Sequence, residues 1–299
     1  MKIIDYKQIE NNLDKLKRDT ILVLKDDAYG FGLPKVAYIA YKLGFTFFAL
    51  SKASEALFLL NRYPNIYILM LGKEKMVHKR VFLTLEDESD YMFMQKHNQA
   101  YHIKVLSHMN RFGTKEITKY ATSDLFKGIY YHMSMANIYC IEKELLIFEK
   151  LVKKYNNRII HIGGSNCLKI NHPYKNRIGF KIYENALSLK GQIIKIFLLK
   201  KGLTLGYEAS FIAKKDVLVG IVDVGYNSGL LRDNKNKYVI IKDQKYDLIG
   251  YKCMDYSFLL VDKNVKVRDE VIFLGHKLDL ETLAFQEGRS AYELMITVK

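Results

Sequence analysis

No run of eighteen or more apolar residues occurs in the 299-residue sequence, so no membrane-spanning helix is expected. The first residues, MKIIDYKQIENNLDKLKR, read as a strand and then an amphipathic helix. They lack the apolar core and small-residue cleavage site of a secretory signal. Cysteine is scarce. Cys140, Cys167 and Cys253 lie far apart without metal-ligand spacing, which argues against a disulfide framework and for reduced thiols in a cytoplasm. Tryptophan is absent beside abundant Lys, Ile, Asn and Tyr, a bias of composition rather than of any one site. There is no internal repeat and no low-complexity linker.

Acidic residues are outnumbered, 32 to 47, and the net charge is +15. KEKMVHKR (73–80) and RDNKNK (232–237) are local concentrations of that charge. The lysines are nonetheless spread through the whole chain among Asp and Glu, and no nucleic-acid motif accompanies them. Solvated surface charge is the simpler reading, with neither nucleic acid nor membrane as partner. A phosphorylated or carboxylate ligand suits the positive field.

What is present is alternation. An apolar run, ILVL, leads into Lys25 and a polar turn with Tyr29. Proline 34 opens a helix over 34–43, TFFAL (46–50) is a strand, and Ser51 precedes a helix over 52–62. Strands follow at 66–71, 81–85, 101–106, 126–133, 159–164 and 177–183, with helices at 87–98, 114–121 and 138–156. Eight short apolar strands separated by helical segments imply an α/β fold, a closed (β/α)8 TIM-like barrel, over residues 1–190. From 191 to 299 short strands follow one another with turns, an antiparallel β domain interrupted by a single helix at 279–287.

In a barrel the functional residues lie at the carboxyl ends of the strands. Reading those positions gives Lys25, Tyr29, Lys104, Arg111, His132, Ser165 and Arg177, with no acidic residue among them. That set argues against a magnesium or zinc site. A lysine at a strand exit is partly desolvated, which favours its neutral, nucleophilic amine, although such a lysine alone more often snorkels to solvent. HIGGSN (161–166) offers two glycines and the Ser165 hydroxyl for a phosphate, and RIGF (177–180) adds backbone amides. A nucleophilic lysine, a phosphate cup and a carboxylate-binding arginine together point to pyridoxal 5'-phosphate carried on Lys25.

With those residues in view, the chain resembles the alanine racemase family, nearly end to end. LKDDAYGFG is close to V-K-A-N-A-Y-G-H-G, and KVLSHMNRFG (104–113) to K-V-D-T-G-M-N-R-L-G. GIYYHMS (128–134), HIGGSN and RIGFKIYE (177–184) match G-I-Y-T-H-F-A, H-x-A-N-S-A and R-x-G-I-x-L-Y-G. LGYEASF (205–211), VDVGYNSG (222–229), GYKCMDYS (250–257) and AYELM (291–295) resemble V-S-Y-G-x-T-Y, x-P-I-G-Y-A-D-G, G-R-I-C-M-D-Q-x and P-Y-E-I-L. Any one of these motifs is weak, but nine in the right order are specific.

The resemblance implies interconversion of L- and D-alanine, supplying D-alanine for peptidoglycan. Lys25 is then the cofactor lysine and the base on one face of the α-carbon, and Tyr207 the base on the other. Two bases are needed because a planar carbanion must be reprotonated from the side opposite to deprotonation. A free tyrosine has a pKa of about 10, so it needs help to ionise. The family pattern implies that help from His132, hydrogen-bonded to Arg177, which also faces the cofactor's pyridine nitrogen. Tyr29, Ser165, Tyr292 and the amides of Gly179 and Phe180 match the phosphate ligands. Arg111 and the Met254 amide match the groups that hold the substrate carboxylate. Lys104 matches a lysine that the family carries as a carbamate. Tyr207 and Met254 reach the site from the second subunit, which implies a homodimer with shared sites.

Departures from the family pattern are local. Leu106-Ser107-His108 replaces D-T-G, Gly164 replaces the Asn before Ser165, and Phe31 replaces the His of Y-G-H-G. The sequence ends at Lys299 without the family's R-V-P-R segment. Alternatives are a racemase of serine or of broader range, a pyridoxal-phosphate decarboxylase of the same barrel, and a non-catalytic pyridoxal-phosphate-binding protein. A decarboxylase needs an acidic partner for the pyridine nitrogen where Arg177 stands, and the binding protein lacks the β domain.

Overall fold

The computed structural model describes residues 1–133, 137–234 and 237–299, with the Ser165 side chain outside that set. The chain forms two compact units, Ile9–Ile182 and Met1–Gln8 together with Tyr183–Lys299. Strand β1 (Lys2–Ile4) and the helix Tyr6–Asp14 lead into β2 (Ile21–Val23), all three residues of which are buried. After it come β3 (Phe47–Leu50), β4 (Tyr67–Met70), β5 (Val81–Leu85), β6 (Tyr101–Lys104), β7 (Phe126–His132), β8 (Ile159–Gly163) and β9 (Lys175–Ile178). Each pairs in parallel with the next, and β9 returns to β2 through Ile21↔Arg177 and Leu22↔Ile178 to close an eight-stranded barrel. Strands apolar on both faces suit this architecture, because helices cover the outside and side chains fill the inside.

The flanking helices follow their apolar spacing. Ile138–Val152 buries Ile141, Leu145, Phe148 and Val152, one stripe at helical period. Leu33–Lys42 carries its proline in the first turn, and Asp87 caps Glu88–Lys96 by accepting from Asp90 N. Two segments differ from the sequence reading. The helix expected over 114–121 shrinks to Ile117–Tyr120. The run 177–183, read as one strand, breaks at Gly179, and Phe180–Tyr183 turns as a 3-10 helix.

The second unit is an antiparallel sheet. Its strands are β10 (Leu187–Leu199), β11 (Thr204–Leu205), β12 (Phe211–Ile212), β13 (Val217–Val222), β14 (Tyr238–Ile241), β15 (Gln244–Ile249), β16 (Ser257–Val261) and β17 (Glu270–Leu274). The order is β1-β10-β13-β16-β15-β14-β17, and β17 also pairs with β10, while β11 and β12 form a separate hairpin. The thirteen-residue β10 serves three partners by shifting register near Leu189 and Ile193. Two helices follow rather than the single one expected: Leu280–Glu287 and Ala291–Thr297. The second was legible in Ser290-Ala291-Tyr292-Glu293, a capping box in which Glu293 N donates to Ser290 Oγ at 3.1 Å.

Candidate active site

Leu24 N donates to Ala49 O at 3.0 Å, so strand pairing persists to the residue before Lys25. Lys25 therefore stands on the carboxyl-end rim. Its side chain is 39% exposed, with Nζ 4.0 Å from Asp26 Oδ2. Asp26, Asp27, Ala28 and Tyr29 then run through a left-handed turn, with φ between 54° and 59°. Such angles cost on the order of 1–2 kcal/mol per residue away from glycine. The surroundings hold them: Asp27 N donates to Glu55 Oε1 at 2.8 Å, Leu33 N donates to Asp27 Oδ1 at 2.7 Å, and Ala28 is wholly buried. Backbone strain of this kind collects where a site needs fixed geometry.

The turn places Tyr29. A Cβ added to Gly179 would lie 2.5 Å from Tyr29 Oη, so the phenol rests directly against the end of β9 and a side chain there would displace it. Ile182 N donates to Gly179 O at 2.9 Å in the turn that begins at Phe180. Gly164, at φ 137°, opens a second 3-10 turn, Ser165–Lys169, at the end of β8. A tyrosine hydroxyl and glycine-lined backbone at adjacent strand ends make a cradle that fits a phosphate. The Ser165 side chain, expected in that cradle, lies outside the described residues. Phe31, the departure in this stretch, is wholly buried and serves the core.

Arg177 is buried inside the barrel, 5% exposed. Its Nη1 donates to His161 Nδ1 at 3.0 Å, its Nη2 to His132 Nδ1 at 3.3 Å, and its guanidinium lies 4.4 Å from the Tyr130 ring centre. Among the described residues no carboxylate pairs with it. Arginine only donates, which fixes the tautomers. Nδ1 of both imidazoles accepts, so each carries its proton on Nε2. His161 Nε2 then donates to His102 Nδ1 at 2.9 Å, leaving the buried His102 Nε2–H without a partner among the described residues. Burial, with the Arg177 charge second, pushes His132 and His102 down to about 3 and His161 well below the ordinary histidine value. All three rings stay neutral at physiological pH.

His102, His161 and Tyr130 were not foreseen, although the strands signalled them. Gly128 and Gly163 interrupt β7 and β8. A Cβ at Gly128 would stand 2.6 Å from His102 Cε1, and one at Gly163 would collide with Arg177 Nη2. Glycine inside a strand marks a close approach by something else.

Lys104 closes the rim near the loop that carries Arg111. The strand-end reading expected no acidic residue here, and the structure corrects that: Lys104 Nζ donates to Glu86 Oε1 at 2.7 Å, both side chains nearly buried. Period-2 alternation aims Thr84 and Glu86 inward beside His102 and Lys104, because β5 and β6 pair through Thr84↔His102 and Leu85↔Ile103. The 106–108 departure is also accounted for. His108 Nδ1 lies 3.0 Å from Glu144 Oε1 and 3.2 Å from Tyr131 Oη, tying the loop to helix Ile138–Val152. Arg111 is exposed. The basic run 73–80 is structural: Lys73 bonds carboxylates, and Arg80 donates to the carbonyls of Leu60, Tyr63 and Pro64.

The β unit carries Tyr207, Met254 and Tyr292, which are 60%, 56% and 49% exposed. Tyr207 sits in the β11–β12 connection, where Gly206, Glu208 and Ala209 all have positive φ. Arg232 faces the Tyr207 ring at 5.9 Å and pairs with Glu208 at 2.7 Å. Tyr226 N and Asn227 N donate to the carbonyls of Cys253 and Met254, both at 3.0 Å, leaving no room for a Cβ on Gly225. Among the described residues no group of His, Cys, Asp and Glu could hold a metal ion.

Comparison with known proteins agrees with this fold. Residues 4–183 match the family model described as "Alanine racemase, N-terminal domain", and residues 186–299 match "Alanine racemase, C-terminal domain". A curated alanine racemase from Borreliella burgdorferi is 27% identical, covering 99% of this chain and 94% of that protein. One from Staphylococcus epidermidis is 26% identical over 93% and 85% of the two chains. The biosynthetic alanine racemase of Pseudomonas aeruginosa superposes over 100% of this chain and 96% of its own, with TM-score 0.87 at 20% identity. That of Bartonella henselae, solved with covalently bound pyridoxal phosphate, superposes over 100% and 96% with TM-score 0.86 at 21% identity. The barrel, the β domain and both family matches lead to one conclusion: the chain belongs to the alanine racemase family.

Proposed function

We infer that this chain interconverts L- and D-alanine with pyridoxal 5'-phosphate, supplying D-alanine to peptidoglycan synthesis in a cytoplasm. The observation that carries this reading is Arg177, a buried guanidinium held by two neutral imidazoles with no carboxylate beside it among the described residues. A decarboxylase of this fold places an acid against the pyridine nitrogen, and an arginine keeps that nitrogen unprotonated instead. The three cysteines stand unpaired, consistent with a reducing compartment.

The residues present fit the cofactor. Lys25 on the rim would hold it covalently, and Tyr29, Ser165, Tyr292 and the amides of Gly179 and Phe180 would hold its phosphate. When bound, the cofactor draws electrons from the substrate and acidifies its α-proton. Lys25 moves the proton on one face. Tyr207, from a second copy of the chain, moves it on the other. His132 aids Tyr207 as a donor: Arg177 occupies Nδ1, so the Nε2–H is the group that can stabilise a phenolate. A histidine pushed down to about 3 takes no proton itself. Arg111 and the Met254 amide bind the substrate carboxylate, and Lys104 would act through Arg111.

Incubating the holoenzyme with L-alanine in deuterium oxide is expected to give α-deuterated alanine and D-alanine together. Bound cofactor with no exchange at the α-carbon would overturn the racemase reading.

A further inference from the structure

Glu86 has no place in the scheme above, yet it is among the most deeply set charges of the rim. Its Oε1 accepts from Lys104 Nζ and its Oε2 pairs with Lys73 Nζ, each at 2.7 Å, while its side chain is 7% exposed. The backbone fixes it as well. Glu86 N donates to Asp90 Oδ2 at 3.1 Å, and Asp90 sits in a helix capped by Asp87. Asp90 in turn pairs with Lys73 at 3.1 Å and Lys75 at 3.3 Å, and Asp87 with Lys73 at 3.3 Å. Glu86, Asp87 and Asp90 thus face Lys73, Lys75 and Lys104, and the cluster balances.

The cluster reaches the Arg111 loop through an aromatic ring. Lys104 Nζ lies 5.2 Å and Lys73 Nζ 5.8 Å from the centre of Phe112, the residue after Arg111. Cations over a ring face attract it only while they are charged. Thr114 N donates to Lys104 O and Leu106 N to Thr114 O, so the loop's two ends are already closed on β6. Phe112 is a side-chain contact between that closed loop and the ion cluster.

We propose that Glu86 is a positioning residue: it holds Lys104 as an unmodified ammonium, whose contact with Phe112 sets the Arg111 loop, so that no carbamate forms on Lys104. Carbamylation needs a neutral amine. Its lone pair attacks carbon dioxide, the Nζ–C bond forms, one C=O π bond opens to a carboxylate, and the amine proton leaves to solvent. Burial lowers the Lys104 amine below its ordinary value, but Glu86 at 2.7 Å works against both ends of that reaction. Glu86 stabilises the protonated amine, and the product would turn Lys104 from a cation to an anion against a carboxylate that now sits 2.7 Å away. It would also remove one of the two cations from Phe112. A carboxylate supplied by the chain itself thus occupies the place where the family pattern implied one made from carbon dioxide.

The charge state of Lys104 can be read without turnover, whereas the effect on Arg111 rests on the racemase reading. Holoenzyme equilibrated with ¹³C-bicarbonate is expected to show no protein carbamate signal by ¹³C NMR. A signal present in the wild type and lost in Lys104→Met would overturn the proposal, whether or not the protein racemises alanine. Glu86→Gln leaves Lys73 and Lys104 short of one counter-charge. It is expected to weaken L-alanine binding by about tenfold, read as KM and as the alanine-induced change in cofactor absorbance, with kcat nearly kept. Unchanged alanine affinity in a folded Glu86→Gln protein would overturn the positioning role, since a purely structural carboxylate would lower the melting temperature alone. If that variant does not fold, the wild-type NMR measurement still decides the state of Lys104.

Discussion

Arg177 in the barrel unit is 5% exposed and bonded to two imidazoles, whereas Tyr207 in the β unit is 60% exposed on a connection of positive-φ residues. The same contrast holds for Lys104 against Met254. Groups that must keep one charge state are set in the barrel with partners that fix proton positions down to the tautomer. The groups assigned to the second subunit stand on exposed turns, where a protein surface is still open to cover them. In our reading the barrel carries one half-site, and Tyr207 and Met254 of the β unit complete a neighbour's.

Three substitutions sharpen that contrast. The largest effect is expected at Lys25→Ala, which removes both the covalent attachment and one base. Racemisation should fall by about 10³-fold or more, and the visible cofactor band should be lost. Retention of the band would move the attachment elsewhere. Gly179→Ala should act through Tyr29, whose hydroxyl lies 2.5 Å from where the new methyl must go. A shifted phenol should weaken cofactor binding by about tenfold, measured by titrating apoenzyme with pyridoxal phosphate, and unchanged affinity would take Tyr29 out of the phosphate cradle.

The smallest effect on catalysis is expected in the β unit's own ion cluster. Glu287 pairs with Lys237 at 3.0 Å and Lys252 at 3.8 Å, all three essentially buried. Burial pulls Lys252 down to about 8. Glu287→Gln should lower stability by about 3 kcal/mol in thermal or urea unfolding, because it strands two buried lysines, while kcat at low temperature is kept. A large loss of kcat with stability intact would give this cluster a part in the chemistry.

Much of the fold could be read from the sequence, and for definite reasons. Short apolar runs between turn residues located all eight barrel strands, and helical spacing fades after about residue 190, although the antiparallel unit already begins at Tyr183 and takes in Met1–Gln8. The helix Ala291–Thr297 was missed because its seven residues are too few for a periodic stripe, although its capping box was present. Motif order led to Lys25, Tyr29, His132 and Arg177. His102, His161 and Glu86 escaped, because single polar residues in apolar strands look alike until register shows which strands adjoin. The left-handed turn at Asp26–Tyr29 escaped altogether, since nothing in D-D-A-Y forces φ above zero and the surrounding contacts impose it.

The shared site is the central claim, and mixing two inactive variants tests it most directly. Lys25→Ala protein keeps Tyr207, and Tyr207→Phe protein keeps Lys25. If each site takes Lys25 from one chain and Tyr207 from the other, half the dimers in an equal, fully exchanged mixture are hybrids, each with one intact site. Activity should then recover to roughly a quarter of wild type. If both residues serve the same chain's site, no hybrid holds an intact site, and a mixture that stays inactive after confirmed subunit exchange would contradict the account.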